Sequence, residues 1–270
     1  MWRPPVGVLG RLLAESGARA TALYSRGEEL RNTASKAAPA LSMKSALLRA
    51  NVAIIAEVKR SSPSNGAINP SLSAENQSLA YASGGASAVS VLTEPVHFSG
   101  SVDDLRSVAQ ALRIPVLRKD FIVDEIQIIE ARAAGAAAIL LIVRGLSPDH
   151  LPLLLKTTHR WGLEAVVEVT SEQELERAIT AGASVIGVNN RDLETLKIDP
   201  QTSARLLPLI PGEIVAISES GIVSSEDVKS AADAGADAVL VGTSLCAAPD
   251  PASAVRALSG VPRRPRANRG

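Results

Sequence analysis

The chain has 270 residues, 46% of them apolar and 21% charged, with Lys plus Arg equal to Asp plus Glu at 28 each. These figures describe a soluble globular protein able to bury a sizeable core, as one large domain or two small ones, and they exclude a net field that recruits nucleic acid or an anionic membrane. No apolar run reaches 18 residues, which excludes a spanning helix, and the single cysteine, Cys246, excludes an internal disulfide framework and fits a reducing compartment.

The N-terminus, MWRPPVGVLGRLLAESG, carries an early arginine and a short apolar stretch that Arg11 interrupts, so it makes a poor secretory signal and a cytoplasmic location is expected. The first acid is Glu15, which leaves an organelle transit peptide conceivable. Two helical stretches, GVLGRLLAES and SMKSALLRAN, make residues 1–50 a helical extension on the domain that follows.

From residue 51 short apolar runs alternate with helical patterns. VAIIAEV (52–58), IPVLR (114–118), EAVVEV (164–169) and EIVAIS (213–218) read as buried strands. Four more strands lie in look-alike segments: SGGASAVSVL (83–92), AAGAAAILLI (133–142), TAGASVIGV (180–188) and DAGADAVLVG (233–242). In each, an Ala-rich amphipathic stretch reaches a Gly suited to a left-handed helix cap and then enters an apolar run. One recurring helix–turn–strand unit is a stronger signal than any single propensity. The gaps hold helices such as SVDDLRSVAQAL, DEIQIIEARAA and SEQELERAITA, several opening on Ser or Asp as N-caps with acids in the first turn. Eight strands alternating with helices predict a parallel sheet covered on both faces, either doubly wound or closed. Eight units in about 220 residues favour the closed α/β (β/α)8 TIM barrel, usually about 250 residues. RSSPSNG after the first strand is not the Gly-rich phosphate turn of the doubly wound alternative. The barrel is expected over residues 51–260, with the extension covering its bottom or shaping its mouth. PRRPRANRG (residues 262–270) completes an unstructured, solvated basic tail over 261–270.

In such a barrel the active site forms where the strands finish. Glu57 and Lys59 lie two apart on the first strand, hence on one face and roughly 6–7 Å apart, and stranding them in a dry core would cost several kcal/mol per ion. The other strands finish with Thr93 and Glu94; with Arg118, Lys119 and Asp120; with Glu168; with Asn189, Asn190 and Arg191; with Ser218, Glu219, Ser220 and Gly221; and with Gly242, Thr243 and Ser244. A salt bridge closing a barrel rim accounts for any one of these, Glu94, Asp120, Arg118 and Glu219 above all. It does not account for Glu57, Lys59, Lys119 and Glu168 converging from separate strands on one mouth. SESGI and VGTSL place small residues past the last two strands, where backbone N–H groups can meet an anion, with Ser62 adding a hydroxyl from the first loop. His97, His150 and His159 avoid the strand ends, so metal hydrolysis is not indicated and no metal ligand set is assigned.

The ordered series IAEVKRSSPSNG, SVLTE with Phe98 following, PVLRKDFIVDEIQIIEARAAGA, VVEVTSEQELERA, GVNNRDLETLKID, ISESGI and ADAVLVGTSL resembles indole-3-glycerol phosphate synthase from about residue 40 to 258. The resemblance implies decarboxylating and dehydrating ring closure of 1-(2-carboxyphenylamino)-1-deoxyribulose 5-phosphate, with no metal or organic cofactor. It implies Lys119 as the acid that protonates the keto oxygen, and Glu168 and Glu57 as carboxylates that stabilise the cationic intermediate and handle protons. Lys59 is similar to the lysine that meets the substrate carboxylate. Asn189 and Arg191 resemble residues that position the anthranilate end, with Phe98 beside its ring. Ser62, Glu219, Ser220, Gly221, Gly242, Thr243 and Ser244 make up the remaining substrate and phosphate contacts. An acid catalyst of this kind is expected to have its pKa brought toward neutrality by burial or by a second cation, here Lys59. Two departures stand out: Asn65, where a basic residue is common, and Arg144, where small apolar residues are usual. The expected partner is a phosphorylated small molecule, without nucleic acid or membrane, and the expected state is a monomer. The rival readings are another phosphate-binding barrel isomerase and a non-catalytic barrel that only binds an anion. The first would carry Cys/Asp or Asp/Asp pairs at strand ends, and the second would lack one of Glu57, Lys119 or Glu168.

Overall fold

A computed structural model describes residues 2–64, 66–264 and 266. Eight parallel strands close into a barrel: β1 (Ala53–Val58), β2 (Ala88–Leu92), β3 (Val116–Lys119), β4 (Ala138–Ile142), β5 (Glu164–Val169), β6 (Val185–Asn189), β7 (Val215–Glu219) and β8 (Ala238–Val241). Each strand pairs with its neighbours in chain order, and β8 returns to β1 through Ala53↔Ala238 to Ala56↔Val241. A two-residue hairpin, Ser61–Ser62 against Gly66–Ala67, sits in the loop after β1. Alternation along the strands divides the core. Ala53 and Ile55, Leu117, Leu140, Val166, Val185, Val215 and Ile217, and Leu240 fill the interior, while Ile54, Val89, Val116, Ile139, Val167, Ile186, Ala216 and Val239 pack outward under the helices.

The crossover helices are those the repeat predicts. α4 (Ala74–Ser83), α5 (Val102–Ala111), α6 (Glu125–Ala133), α8 (Glu172–Thr180) and α10 (Ser225–Asp233) are N-capped by Ser73, Ser101, Asp124, Ser171 and Ser224, whose side chains accept first-turn N–H groups. α7 (His150–Arg160) and α9 (Gln201–Leu206) complete the ring, with α11 (Thr243–Ala247) and α12 (Pro251–Leu258) after β8. The predicted left-handed glycines are Gly85, Gly135, Gly182 and Gly235, all at φ between 84° and 100°.

The extension does both things expected of it, at opposite ends. α1 (Gly7–Leu23) lies over the mouth and buries Leu9 and Leu12 against Phe121 and Ile142. α2 (Gly27–Lys36), which periodicity did not reveal, packs Leu30 and Ala34 on Ile126 and Ile129 of α6. α3 (Met43–Leu47) plugs the bottom, where Ser42 Oγ and the Lys44 N–H donate to the Glu164 carboxylate at 2.8 and 2.6 Å. The solvated tail requires a correction. Arg263 and Arg266 both pair with buried Asp237 at 2.8 Å, because that carboxylate needs cations at the barrel bottom. The tail residues 265 and 267–270, like Asn65 in the first loop, lie outside the described residues. Among the described residues no helix is long and apolar enough to cross a membrane.

Candidate active site

Strand parity decides which charges face the cavity. An inward Ile55 makes Glu57 and then Lys59 inward; Leu117 does the same for Lys119, Val166 for Glu168, Val185 for Asn189, and Ile217 for Glu219. The last inward position of five strands is therefore polar exactly where barrel core gives way to cavity. Residues of opposite parity face the helices: Arg118 donates to the Gln127 carbonyl at 2.9 Å and pairs with Glu130 at 2.9 Å, and Asn190 Oδ1 accepts the Ser203 N–H at 2.9 Å. They close the rim, as the simpler reading of such residues expects.

Lys119 is the hub. Its Nζ lies 2.9 Å from Glu219 Oε2, 3.6 Å from Glu57 Oε2 and 4.0 Å from Glu168 Oε2, while Lys59 Nζ pairs with Glu57 Oε1 at 3.0 Å. Burial alone would lower the Lys119 pKa, but Glu219, Glu57 and Glu168 outweigh it and hold the ammonium above the ordinary lysine value. The expected shift toward neutrality is thus corrected: the second cation, Lys59, is itself neutralised by Glu57, and three carboxylates face Lys119. Burial works against the Glu57 charge, yet Lys59 and Lys119 keep its pKa below the usual range. Glu168 goes the other way, pushed up to about 7 by burial and by the neighbouring Glu219 carboxylate, against the pull of Lys119. Glu168 Oε1 and Glu219 Oε1 are both buried without a hydrogen-bond partner among the described residues.

Two cavities meet over this cluster. One, of about 120 Å³, is walled by Leu92, Phe98, Phe121, Leu140, Ile142 and Leu193 and floored by Glu168 and Asn189; the ring centroids of Phe98 and Phe121 are 6.3 Å apart. The other, of about 530 Å³, is bordered by Gly221, Gly242, Thr243 and Ser244. Glu57, Lys59, Lys119, Arg191 and Ser220 line both. Ser62 lines the adjoining recess under α1, and Glu219 sits buried beneath Lys119. All the predicted site residues therefore gather at one mouth. Ser220, at φ 68°, donates to Asn189 Oδ1 at 2.9 Å, and the Arg191 N–H donates to the same oxygen at 2.9 Å, which fixes the Asn189 amide. At Gly242 any Cβ would press on Glu57 Oε1 and Lys59 Nζ, so the missing side chain makes room for that ion pair.

Apart from Phe98, sequence reasoning missed the apolar wall. Phe121, next to Lys119 in the KDF segment, was the available signal, whereas Leu9, Leu12 and Leu193 reach the mouth only through the placement of α1 and the loop after β6. Arg144 reaches Asp192 in that loop at 3.7 Å, and its carbonyl accepts Trp2 Nε1 at 3.4 Å. Glu15, Glu94 and His97 offer ligand atoms within 4.8 Å of one another. The Glu94 oxygens, however, already accept the N–H groups of Val96, His97 and Phe98 and face Arg19, so this group is a loop anchor.

Solved structures share the fold at low identity. A thiamine phosphate pyrophosphorylase from Pyrococcus furiosus superposes with a TM-score of 0.60 at 16% identity, over 78% of this chain and 95% of that one. Sequence relatives are much nearer. An indole-3-glycerol phosphate synthase of Mycolicibacterium vanbaalenii is 49% identical over 228 residues, 84% of each chain. One of Rhodococcus opacus is 50% identical over 222 residues, 82% of each. The family model described as indole-3-glycerol phosphate synthase matches residues 11–258, which span all but the first turn of the α1 roof, the whole barrel and every residue of the charged mouth, and the chain belongs to that family.

Proposed function

We infer that the chain is an indole-3-glycerol phosphate synthase, closing the ring of 1-(2-carboxyphenylamino)-1-deoxyribulose 5-phosphate with loss of carbon dioxide and water. The observation that carries the reading is one ammonium, Lys119 Nζ, ringed by three carboxylates between an aromatic-walled cavity and a cavity edged by small residues. The aromatic end suits the anthranilate ring. The Gly221, Gly242, Thr243 and Ser244 end suits the phosphate, whose remote binding holds the flexible chain folded.

In this reading the ring carbon that bears the carboxylate attacks the keto carbon, and Lys119 gives its proton to the keto oxygen. A raised lysine pKa does not prevent this. An alkoxide is far more basic than an amine, so a fully protonated ammonium still has a proton to give. Carbon dioxide then leaves and the ring regains aromaticity, with Glu57 and Glu168 stabilising the cationic intermediate. The new hydroxyl departs as water on receiving a proton, and a base removes one from the adjacent carbon, so the protons balance. Lys59 meets the substrate carboxylate and takes part in these transfers; Asn189 and Arg191 orient the ring end. Glu168, with a pKa of about 7, is suited to both giving and taking a proton. We place the protein in the cytoplasm as a monomer acting on this small molecule without nucleic acid, on its balanced charge and its single, buried cysteine.

The test is to mix purified protein with the substrate and follow indole fluorescence. The native chain is expected to turn over, and Lys119→Ala to lose on the order of 10²-fold or more in kcat. Near-native turnover by a folded Lys119→Ala would reject the assigned acid. No turnover by the native chain would favour the binding-only barrel.

A further inference from the structure

α1 grips the mouth through polar residues in and beside its buried stripe. Glu15 Oε2 meets His97 Nε2 at 2.8 Å, and Ser16 Oγ donates to the Phe121 carbonyl while accepting from Gln127 Nε2 at 2.8 Å. Arg19 reaches two carboxylates at once, Asp120 Oδ1 at 2.9 Å and Glu94 Oε1 at 3.5 Å. Each of these carboxylates is buried and already holds one aromatic wall by its backbone. Asp120 Oδ1 accepts the Phe121 N–H at 2.8 Å, and Glu94 Oε2 accepts the Phe98 N–H at 3.1 Å. Asp120 is also the residue after Lys119, and its second oxygen is tied to Thr93 Oγ1 at 2.6 Å. One guanidinium from outside the barrel thus joins the anchors of both aromatic walls and the end of the strand that aims Lys119.

We propose that Arg19 is a positioning residue of the reaction: by bridging Asp120 and Glu94 it sets the Phe98–Phe121 spacing and the direction of Lys119. Among the described residues Arg19 is the only cation paired with Glu94, so its removal leaves a fully buried carboxylate without a counter-charge, and leaves Asp120 with Arg118 alone, at 3.2 Å. The uncompensated Glu94 relaxes toward water and carries the Phe98 wall with it, while Asp120, held from one side only, lets the Phe121 wall and the Lys119 strand end shift toward Arg118. A planar fork spans two carboxylates, which a point-charge ammonium does not, so lysine is an incomplete substitute. The proposal rests on the ring-closing reading for its kinetics and on geometry alone for its binding consequences.

The test compares Arg19→Met, Arg19→Lys and Tyr24→Phe. The last removes another α1-side contact, Tyr24 Oη to Asp124 at 2.8 Å, without touching either anchor. Arg19→Met is expected to lower kcat on the order of 10- to 100-fold, the cost of about an ångström of misplacement. It should also weaken 2-aminobenzoate binding at the ring end, read by fluorescence titration, while inorganic phosphate binding at the far cavity stays as in the parent. Arg19→Lys is expected to lie between, and Tyr24→Phe to match the parent. A folded Arg19→Met with kcat and 2-aminobenzoate affinity within about two-fold of the parent would overturn the proposal, as would equal losses of 2-aminobenzoate and phosphate affinity. Where Arg19→Met does not fold, parent-like kcat and ring affinity in Arg19→Lys would overturn it. A parent without turnover rejects the ring-closing reading, while the two titrations still decide the role of Arg19.

Discussion

Glu168 sits where two demands on one carboxyl conflict. Held at the end of β5 beside Glu219, it resists ionisation up to about pH 7, yet its proposed role beside a cationic intermediate needs the carboxylate. A carboxyl whose native pKa lies above its ordinary value of 4.5 binds its proton more tightly in the folded state. This burial therefore favours folding below about pH 4.5, and that contribution is lost as the pH rises through about 7. Above that pH the charged, buried Glu168 costs on the order of 3 kcal/mol, and Glu168→Gln is expected to recover much of it. Urea denaturation at pH 5 and pH 8 checks this: the variant's advantage should grow with pH while turnover collapses, and an advantage independent of pH would contradict the raised pKa. In the parent, kcat/KM should rise through an apparent pKa near 7 that belongs to the Glu168–Glu219 pair. At this scale the identity of the charged residues was legible in the sequence, because strand parity alone fixes which side chains face the cavity. The direction of the Lys119 shift was not, because it depends on three carboxylates arriving from β1, β5 and β7 within 4.0 Å of one nitrogen.

Among the elements, those that punctuate themselves were legible. A Ser or Asp cap, an amphipathic turn and a left-handed glycine are local chemistry, and they bound α6 and α8 to within a residue, as the Ser101 cap and the amphipathic turn do for α5. α2 escaped because only Gly27, Leu30 and Ala34 of its ten residues are buried, too few for a periodic signal. The hint lay on its partner, since α6 buries four consecutive residues, Ile126 to Ile129, which point around the whole helix and need more than one covering layer. The turn from β8 into α11 shows how an element end can govern chemistry without governing stability. A Cβ at Gly242 would meet only the far ends of Glu57 and Lys59, which move cheaply, so Gly242→Ala should fold like the parent. It should nonetheless split their 3.0 Å pair and lower kcat on the order of 10-fold, besides raising KM. Ser244→Ala touches only the anion cavity and is expected to raise KM with kcat nearly intact. Steady-state kinetics of the two variants side by side read the difference, and equal effects on kcat would show that Gly242 serves the cradle alone.

The molecule as a whole keeps its chemistry at one end of the barrel and a second charged cluster at the other. At the bottom Asp237 accepts the Ala216 N–H at 2.9 Å and pairs with Arg263 and Arg266, while Arg266 also donates to the carbonyls of Ile210, Ile214 and Gly235. Arg263 and Arg266 thus tie the segment after α12 to the turns that precede β7 and β8. Arginines without periodicity read as solvated in the sequence, since nothing local reveals that a buried carboxylate awaits them across the fold. Removing one partner of a buried pair leaves charge uncompensated, so Arg266→Ala is expected to lower the unfolding free energy by about 3 kcal/mol, tempered by the remaining Arg263. For a chain of this size that is a fall in Tm of roughly 6–12 °C. Because the barrel core lies between this cluster and Lys119, kcat at 25 °C should stay at the parent value. Thermal unfolding and turnover measured on the same preparation test the separation. A loss of kcat in Arg266→Ala at unchanged Tm would mean that the two ends of the barrel are coupled, and the strap would then act on the site instead of on stability.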